Sequence, residues 1–506
     1  MSATLSRILT RQAQERGTKA ALIYEDEIRS YADLERNASR IAHGMVALGV
    51  LPGDRVAYLG KNTLAYFEFF LGAAKAGAVT VPVNWRLAEP EIRFILDSAR
   101  PKLVLVEDPF EGAAARAAPQ IGRLVTGGRH DTFASWRDAQ CDDPLDLRSD
   151  WQEPVLQLYT SGTTGRPKGA VLTHRSIFSL RNRPERLPEW YRWSSEDVSL
   201  IAMPVAHISG TGWGIWTLQH GATGVILREF DPHTVFDQLV SKRVTKVMMV
   251  PTAMQIAVRH PLAKTTDFGF LRYLYYGGSP LPLELMRECA QVFGCGFVQM
   301  YGMTETTGTV VALAPEDHDP ANGDRLRSVG KALPGVEIRV VDAQGGTLPP
   351  GATGEIAIRS EANMAGYFEL PDATAQTVDA EGWLRSGDAG YLDADGYLYL
   401  KDRVKDMIIS GGENIYPAEV ENAIYGHPSV SEVAVIGVPD EKWGEVVKAF
   451  IVPVPGATPS TPEIIAWAGA RIARFKLPKV VEWVAALPRS HTGKLLRREL
   501  RDAHRS

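Results

Sequence analysis

The stretch Tyr159-Thr160-Ser161-Gly162-Thr163-Thr164-Gly165-Arg166-Pro167-Lys168-Gly169 decides how the rest of the chain is read. The apolar run Val155-Leu156-Gln157-Leu158-Tyr159 precedes it and predicts a buried strand, while Ala170-Val171-Leu172-Thr173-His174 after it predicts a second strand or the start of a helix. Glycines permit positive φ and close backbone approach. A turn whose successive N–H groups point inward makes an anion-binding nest. The hydroxyls add donors and Lys168 adds a mobile positive charge, so the stretch suits a polyphosphate. It is not the G-x-x-x-x-G-K-[ST] loop: Gly162 and Gly165 are too close, Arg166-Pro167 intervene, and Gly169 follows the lysine. A Ser/Thr/Gly surface linker would have no reason to sit between apolar strands or to carry one lysine behind a proline.

The 506 residues correspond to about three domain-sized units. The net charge of −5, with acids and bases nearly balanced, argues against general nucleic-acid binding. Cys141, Cys289 and Cys295 are odd in number and lack a metal-ligand spacing, which points to a reducing compartment. The first residues lack the apolar core of a signal peptide, and no run approaches a membrane-spanning length, so a cytoplasmic location is expected.

Residues 1–110 alternate helical and strand-like patterns, for instance a helix from Tyr31 towards Gly49, a strand at Arg55–Leu59, a helix from about Leu64 to Gly77 and a strand at Ala78–Val83. Such alternation predicts parallel α/β layers. Residues 111–150 are weakly periodic and read as a peripheral helix and a loop. The segment from Arg181 to Trp193 interleaves basic and aromatic residues; a membrane or acyl-chain surface is one reading, and a solvated loop packing its aromatics on the body is the favoured one. Trp213 and Trp216 suit either a ligand pocket or the core. Residues 330–400 hold short strands between Gly/Pro/Asp turns, a β-subdomain. After Lys401-Asp402-Arg403-Val404-Lys405-Asp406 the pattern is that of a small α+β domain with a basic tail.

Further motifs join the first. Gly277-Gly278-Ser279-Pro280 ends an apolar strand, where glycines let a flat ligand lie on bare backbone. Gln299-Met300-Tyr301-Gly302-Met303-Thr304-Glu305 offers a ring to stack on a base, a hydroxyl, and a hard carboxylate oxygen of the kind Mg²⁺ takes. Asp388, in Gly382-Trp383-Leu384-Arg385-Ser386-Gly387-Asp388, can accept from vicinal hydroxyls.

Together these stretches resemble the adenylate-forming enzymes, which include acyl- and aryl-CoA synthetases, peptide-synthetase adenylation domains and beetle luciferases. The resemblance runs from about residue 20 to 500 and is most similar to bacterial fatty-acyl-CoA synthetases, with coumarate- and ferulate-type ligases close behind. It implies a large N-terminal adenylation domain of α/β layers plus the β-subdomain (1–402), a hinge (403–406) and a small mobile α+β C-terminal domain (407–506). It implies that Thr160, Ser161, Gly162, Thr163, Thr164, Gly165 and Lys168 hold the phosphates. Gly278, Ser279, Pro280, Gln299, Met300, Tyr301, Gly302 and Thr304 would meet adenine and the α-phosphate, and Asp388 and Arg403 the ribose. Glu305 and Thr160 would hold Mg²⁺, Lys405 would be the pivot, and Lys494 of Pro488-Arg-Ser-His-Thr-Gly-Lys494 would be catalytic beside Thr160, Lys168 and Glu305. The acid would lie among His207, which ends a strand in the family, and Trp213, Gly278, Thr307, Gly308 and Val310. Gly411, Gly412 and Glu413 would line the pantetheine path.

The tail from Arg471 to Arg505 has ten Lys/Arg against three Asp/Glu. It suits nucleic acid or, more economically, the phosphates of CoA met by Arg471, Arg474 and Lys476. The implied reaction activates a carboxylic acid with ATP and transfers it to CoA, on medium- or long-chain fatty acids. The alternatives are an aryl-acid CoA ligase, an enzyme loading a carrier protein, a luciferase-like oxidase and a catalytically silent scaffold. The expected partners are a small acid, ATP and CoA, with no nucleic acid; oligomeric state, a homodimer included, and peripheral membrane contact are left open.

Overall fold

The computed structural model describes the chain apart from residues 1–3, 129–130, 148–149, 161–165, 183, 280, 320–324, 404–405, 411–412, 490–494 and 504–506. Two compact units form, one from Met1–Glu337 with Arg359–Leu384 and the other from Ile338–Ile358 with Arg385–Ser506. The segment expected as a hinge belongs to the second unit.

Two mixed sheets build the first unit. One has seven strands, in the order Gly366–Tyr367, Lys168–Thr173, Pro154–Thr160, Val79–Asn84, Arg55–Gly60, Leu103–Glu107 and Gly122–Thr126. From Pro154–Thr160 onward its neighbours are parallel; the two pairs at its other end are antiparallel. The other has nine strands, with Val198–Ile201, Lys246–Met249, Tyr273–Gly277 and Gly296–Met303 among its parallel members and Gly308–Leu313 returning antiparallel near one edge. The central strands are continuous apolar runs because helices cover both faces of such layers. Val79–Asn84 and Leu103–Glu107 are buried throughout.

In open parallel sheets, ligands collect at the carboxyl ends of the strands. Asn84, Thr160, Gly277 and Met303 are the last residues of their strands, so the motifs read from the sequence stand where this architecture places ligands.

Residues 111–150 need a correction. They form two seven-residue helices, Glu111–Ala117 and Thr132–Asp138, with an edge strand, Gly122–Thr126, between them. Only Leu124, Val125 and Thr126 of that strand are buried, too short a run to impose a period on the sequence. The aromatics Tyr191 and Trp193 pack into the body, as the solvated-loop reading expects.

In the second unit, residues 388–392 pair antiparallel with the strand Leu398–Arg403. A separate five-stranded sheet contains Val430–Asp440 and Gly444–Pro453, with Val480–Trp483 alongside the latter. Helices Pro417–Tyr425 and Thr461–Gly469 supply Val420, Ile424, Ile464 and Ala468 to its core, which is the expected small α+β domain.

Candidate functional site

The phosphate-loop candidates are framed by a hairpin. Pro154–Thr160 runs into the loop and Lys168–Thr173 runs out, with Thr160 and Lys168 as cross-strand partners. Ser161, Gly162, Thr163, Thr164 and Gly165 lie outside the described residues, as do Pro280, Lys405, Gly411, Gly412 and Lys494.

Glu305 meets the hairpin. It lies in a short 3-10 turn, Thr304–Thr306, that follows the strand Gly296–Met303. Its carboxylate is buried, and Oε1 accepts from Thr160 Oγ1 at 3.3 Å and from the Tyr367 hydroxyl at 2.8 Å. Lys168 Nζ lies 4.9 Å from the centroid of the same tyrosine ring, a cation–π distance. Burial first, and the Glu305 carboxylate second, push the Tyr367 phenol above its ordinary range, so it is a neutral donor at any working pH. Thr160, Lys168 and Glu305 are therefore brought together, and Tyr367 is a member of the group that the sequence reading missed.

Thr160 and Glu305 offer one hydroxyl and one carboxylate, both hard oxygens. That donor set fits Mg²⁺, which keeps several waters and leans on substrate phosphates rather than on an all-protein cage. No group of three or more His, Cys, Asp or Glu side chains that could hold a metal occurs among the described residues.

Beyond Glu305 the chain is tightly constrained. A Cβ on Gly302 would stand 1.9 Å from the Gly308 carbonyl oxygen, so the bulge between Tyr301 and Gly302 requires glycine there. Thr307 has φ +53°, a rare conformation for a β-branched residue, and its hydroxyl donates to the Ala362 carbonyl at 2.6 Å. Thr304 is half-buried and Tyr301 likewise, whereas Gly302 is exposed. Gln299 and Met300 are largely buried. Gly278 takes φ +84° and, with Ser279, is exposed just past the end of the strand Tyr273–Gly277, giving the bare backbone expected for a flat ligand.

The acid-site candidates divide. His207 does not end a strand, contrary to expectation. Val198–Ile201 stops earlier, and Asn62 holds the intervening Met203–Val205 segment by donating to the Met203 carbonyl and accepting from the Val205 N–H. His207 instead precedes the helix Ile208–Gln219 at its N-cap position, without a side-chain capping bond. The Asn84 side chain accepts from the Arg86 N–H through Oδ1, which turns its Nδ2 as donor towards His207 Nε2 at 3.3 Å. A Cβ on Gly308 would meet Ile208 at 3.4 Å, so Gly308 and the start of this helix are neighbours. Trp213 and Val310 are buried, and Trp213 packs edge-on against Trp193, Trp216 and Tyr275, so core packing accounts for its ring.

In the second unit, Asp388 and Arg403 are register partners on adjacent strands and form an ion pair at 2.8 Å. Glu413 is exposed opposite Ser410. Lys476 pairs with Glu419 at 2.6 Å, Arg471 stacks on Trp467 at 3.6 Å, and Arg474 is exposed. No described helix is long and apolar enough to cross a membrane.

The pattern of the AMP-binding enzyme family matches residues 9–368, and that of the AMP-binding enzyme C-terminal domain matches residues 419–494. A fatty acid–[acyl-carrier-protein] ligase, ScoC of Streptomyces coeruleorubidus, is 42% identical over 99% of this chain and 96% of its own. A feruloyl-CoA synthase of Amycolatopsis sp is 42% identical over 93% of each chain. The ATP-bound crystal structure of MatB from Rhodopseudomonas palustris superposes with a TM-score of 0.90 at 31% identity, covering 100% of this chain and 99% of that one.

Proposed function

Because the chain belongs to the AMP-binding enzyme family, we propose that it is an acid–thiol ligase working through an acyl-adenylate, with fatty acids as substrates and CoA as acceptor. The observation that carries this is the convergence of Thr160, Lys168 and Glu305 at the mouth of the Ser/Thr/Gly hairpin.

A carboxylate oxygen attacks the α-phosphorus of ATP, and the bond to the pyrophosphate oxygen breaks. The attacking and attacked groups are both anionic, so neutralising charge and aligning the two are the main tasks. Lys168 is assigned the phosphates, Thr304 the α-phosphate and Tyr301 the adenine ring. Asp388 and Arg403 are assigned the ribose hydroxyls, and Lys494 the charge that develops as pyrophosphate leaves. Glu305 and Thr160 would hold Mg²⁺, which supplies positive charge to the phosphate oxygens when bound. In the second half-reaction the thiol of CoA attacks the acyl carbon and AMP leaves. Lys405 is assigned the pivot between the two steps. Gly411, Gly412 and Glu413 are assigned the pantetheine arm, and Arg471, Arg474 and Lys476 the CoA phosphates.

The fatty-acid reading is supported by the glycines at 278 and 308, where a side chain would project beside Val250 and Ile208, and by the 42% identity to a fatty acid ligase. The equal identity to a feruloyl-CoA synthase favours an aryl acid as the second reading, and the acceptor in the first relative's name favours a carrier protein as the alternative to CoA.

Mass spectrometry tests all three. The purified protein is incubated with ATP, Mg²⁺ and a panel of fatty and aromatic acids, alone, with CoA, or with a phosphopantetheinylated carrier protein. Fatty acyl-CoA formed only with CoA is the expected result. An acyl-AMP that goes only to the carrier would replace CoA as acceptor, and no adenylate with any acid would overturn the ligase reading.

A further inference from the structure

Gly366-Tyr367 forms a two-residue strand that nothing in the proposed chemistry uses, yet it ties the hairpin to Glu305. Its strand pairs antiparallel with Lys168–Thr173, placing Tyr367 opposite Ala170 and Gly366 opposite Val171. The pairing is extended on both sides, as Ala365 N–H donates to the Val171 carbonyl at 2.9 Å and Phe368 N–H to the Gly169 carbonyl at 2.8 Å. Met364 N–H donates to the Glu305 backbone carbonyl at 2.8 Å, so the same segment grips Glu305 through its main chain as well.

The grip is rigid. Tyr367 N–H donates to Thr374 Oγ1 at 2.9 Å, and Thr374 belongs to the following helix, Pro371–Thr377. A Cβ on Gly366 would stand 2.9 Å from the Thr374 methyl, and with φ at +149° the glycine is needed for this close approach. The Arg55 guanidinium lies 4.0 Å over the Phe368 ring, and Arg100 pairs with Glu369. The phenol held by this segment donates to Oε1 of Glu305 at 2.8 Å.

Both donors to the carboxylate, Thr160 and Tyr367, converge on that one oxygen. Among the described residues none donates to Oε2. Outer partners of this kind orient a metal-binding carboxylate and set its affinity. We propose that Tyr367 is a positioning residue of the adenylating site, turning Glu305 so that its second oxygen is presented to the divalent cation that accompanies ATP. This rests on the assignment of Glu305 to that cation.

The test uses Mn²⁺ as the probe, titrated into the full-length protein with α,β-methylene-ATP, which cannot release pyrophosphate. Free Mn²⁺ is read by electron paramagnetic resonance. Tyr367→Phe removes the hydroxyl and keeps the ring over Lys168. It is expected to weaken Mn²⁺ binding about tenfold, while affinity for the analogue in EDTA and the thermal midpoint stay at wild-type values. An unchanged Mn²⁺ affinity in Tyr367→Phe, with Glu305→Gln losing it, would reduce the tyrosine to a scaffold contact and overturn the proposal, whatever the variant's stability. Mn²⁺ affinity retained in Glu305→Gln would instead remove the cation from Glu305, and the proposal would fall with the reading it rests on.

Discussion

Asp388 and Arg403 face each other across two antiparallel strands, with an ion pair of 2.8 Å between Arg403 Nε and Asp388 Oδ1. The pair is braced at both ends. Asp388 N–H donates to Ser386 Oγ at 3.1 Å, and Arg403 Nη1 donates to the Ser386 carbonyl at 3.3 Å. A carboxylate fixed in this way can accept from neighbouring hydroxyls without first ordering itself. If it reads the ribose, the wild-type protein prefers ATP to 2′-deoxy-ATP, and Asp388→Asn loses most of that preference. A hydrogen bond to a charged group is worth about 1.5–3 kcal/mol, so ATP affinity should fall by about ten- to a hundredfold. Steady-state kinetics with both nucleotides check this. An unchanged preference in Asp388→Asn would take the ribose away from Asp388.

Lys494 carries the other charge assigned to the first half-reaction, in the motif Pro488-Arg-Ser-His-Thr-Gly-Lys494. A cation used only while pyrophosphate departs has no task once the adenylate exists. Lys494→Ala should therefore cut acid-dependent ATP–pyrophosphate exchange by at least about a hundredfold, the size expected when one preorganised donor to developing charge is removed. Thioester formation from a supplied acyl-adenylate should continue at close to the wild-type rate. Equal losses in the two half-reactions would show that Lys494 acts on something common to both, such as folding or nucleotide binding.

The first arm of the hairpin was legible because local composition dictates it: apolar Val155–Tyr159 forms a strand, while the second arm was readable as a strand or a helix start and is the strand Lys168–Thr173. The group around Glu305 was only half legible. Thr160 and Glu305 each sit in a recognisable motif, but Tyr367 reaches Glu305 across 62 residues and Asn84 reaches His207 across 123. No periodicity reports such pairings, because they arise where segments that follow strands of one sheet meet strands of the other. Trp213 shows the opposite difficulty. Its spacing from Trp216 suits a pocket or a core equally, and only the surrounding rings, Trp193 and Tyr275, show what it packs against. His207 moved from a strand end to the position before a helix because the side chain of Asn62, distant in sequence, organises the segment before it.

Three histidines of the first unit, His174 and His318 buried and His220 partly so, imply a pH dependence of stability. Burial pulls the imidazoles of His174, His220 and His318 down to about 4, against about 6.5 in an unfolded chain. Between these values the unfolded state binds protons that the folded state refuses. Stability therefore rises with pH across that window, is complete above about 6.5, and is lost as pH falls towards 4, by at most about 1.4 kcal/mol per pH unit for each histidine. In the second unit, burial raises the carboxyls of Asp402 and Glu421, which oppose this trend by taking up protons sooner when folded. A variant difference separates the two contributions. His174 Nδ1 accepts from the Leu5 N–H at 3.2 Å, at the first turn of the helix Leu5–Arg16, and protonation of Nδ1 would destroy that bond. Asn at 174 supplies an acceptor that does not titrate. Urea unfolding between pH 7 and pH 5 should then show His174→Asn losing less stability than the wild type. Parallel losses over that range would mean that His174 takes no part in the acid response.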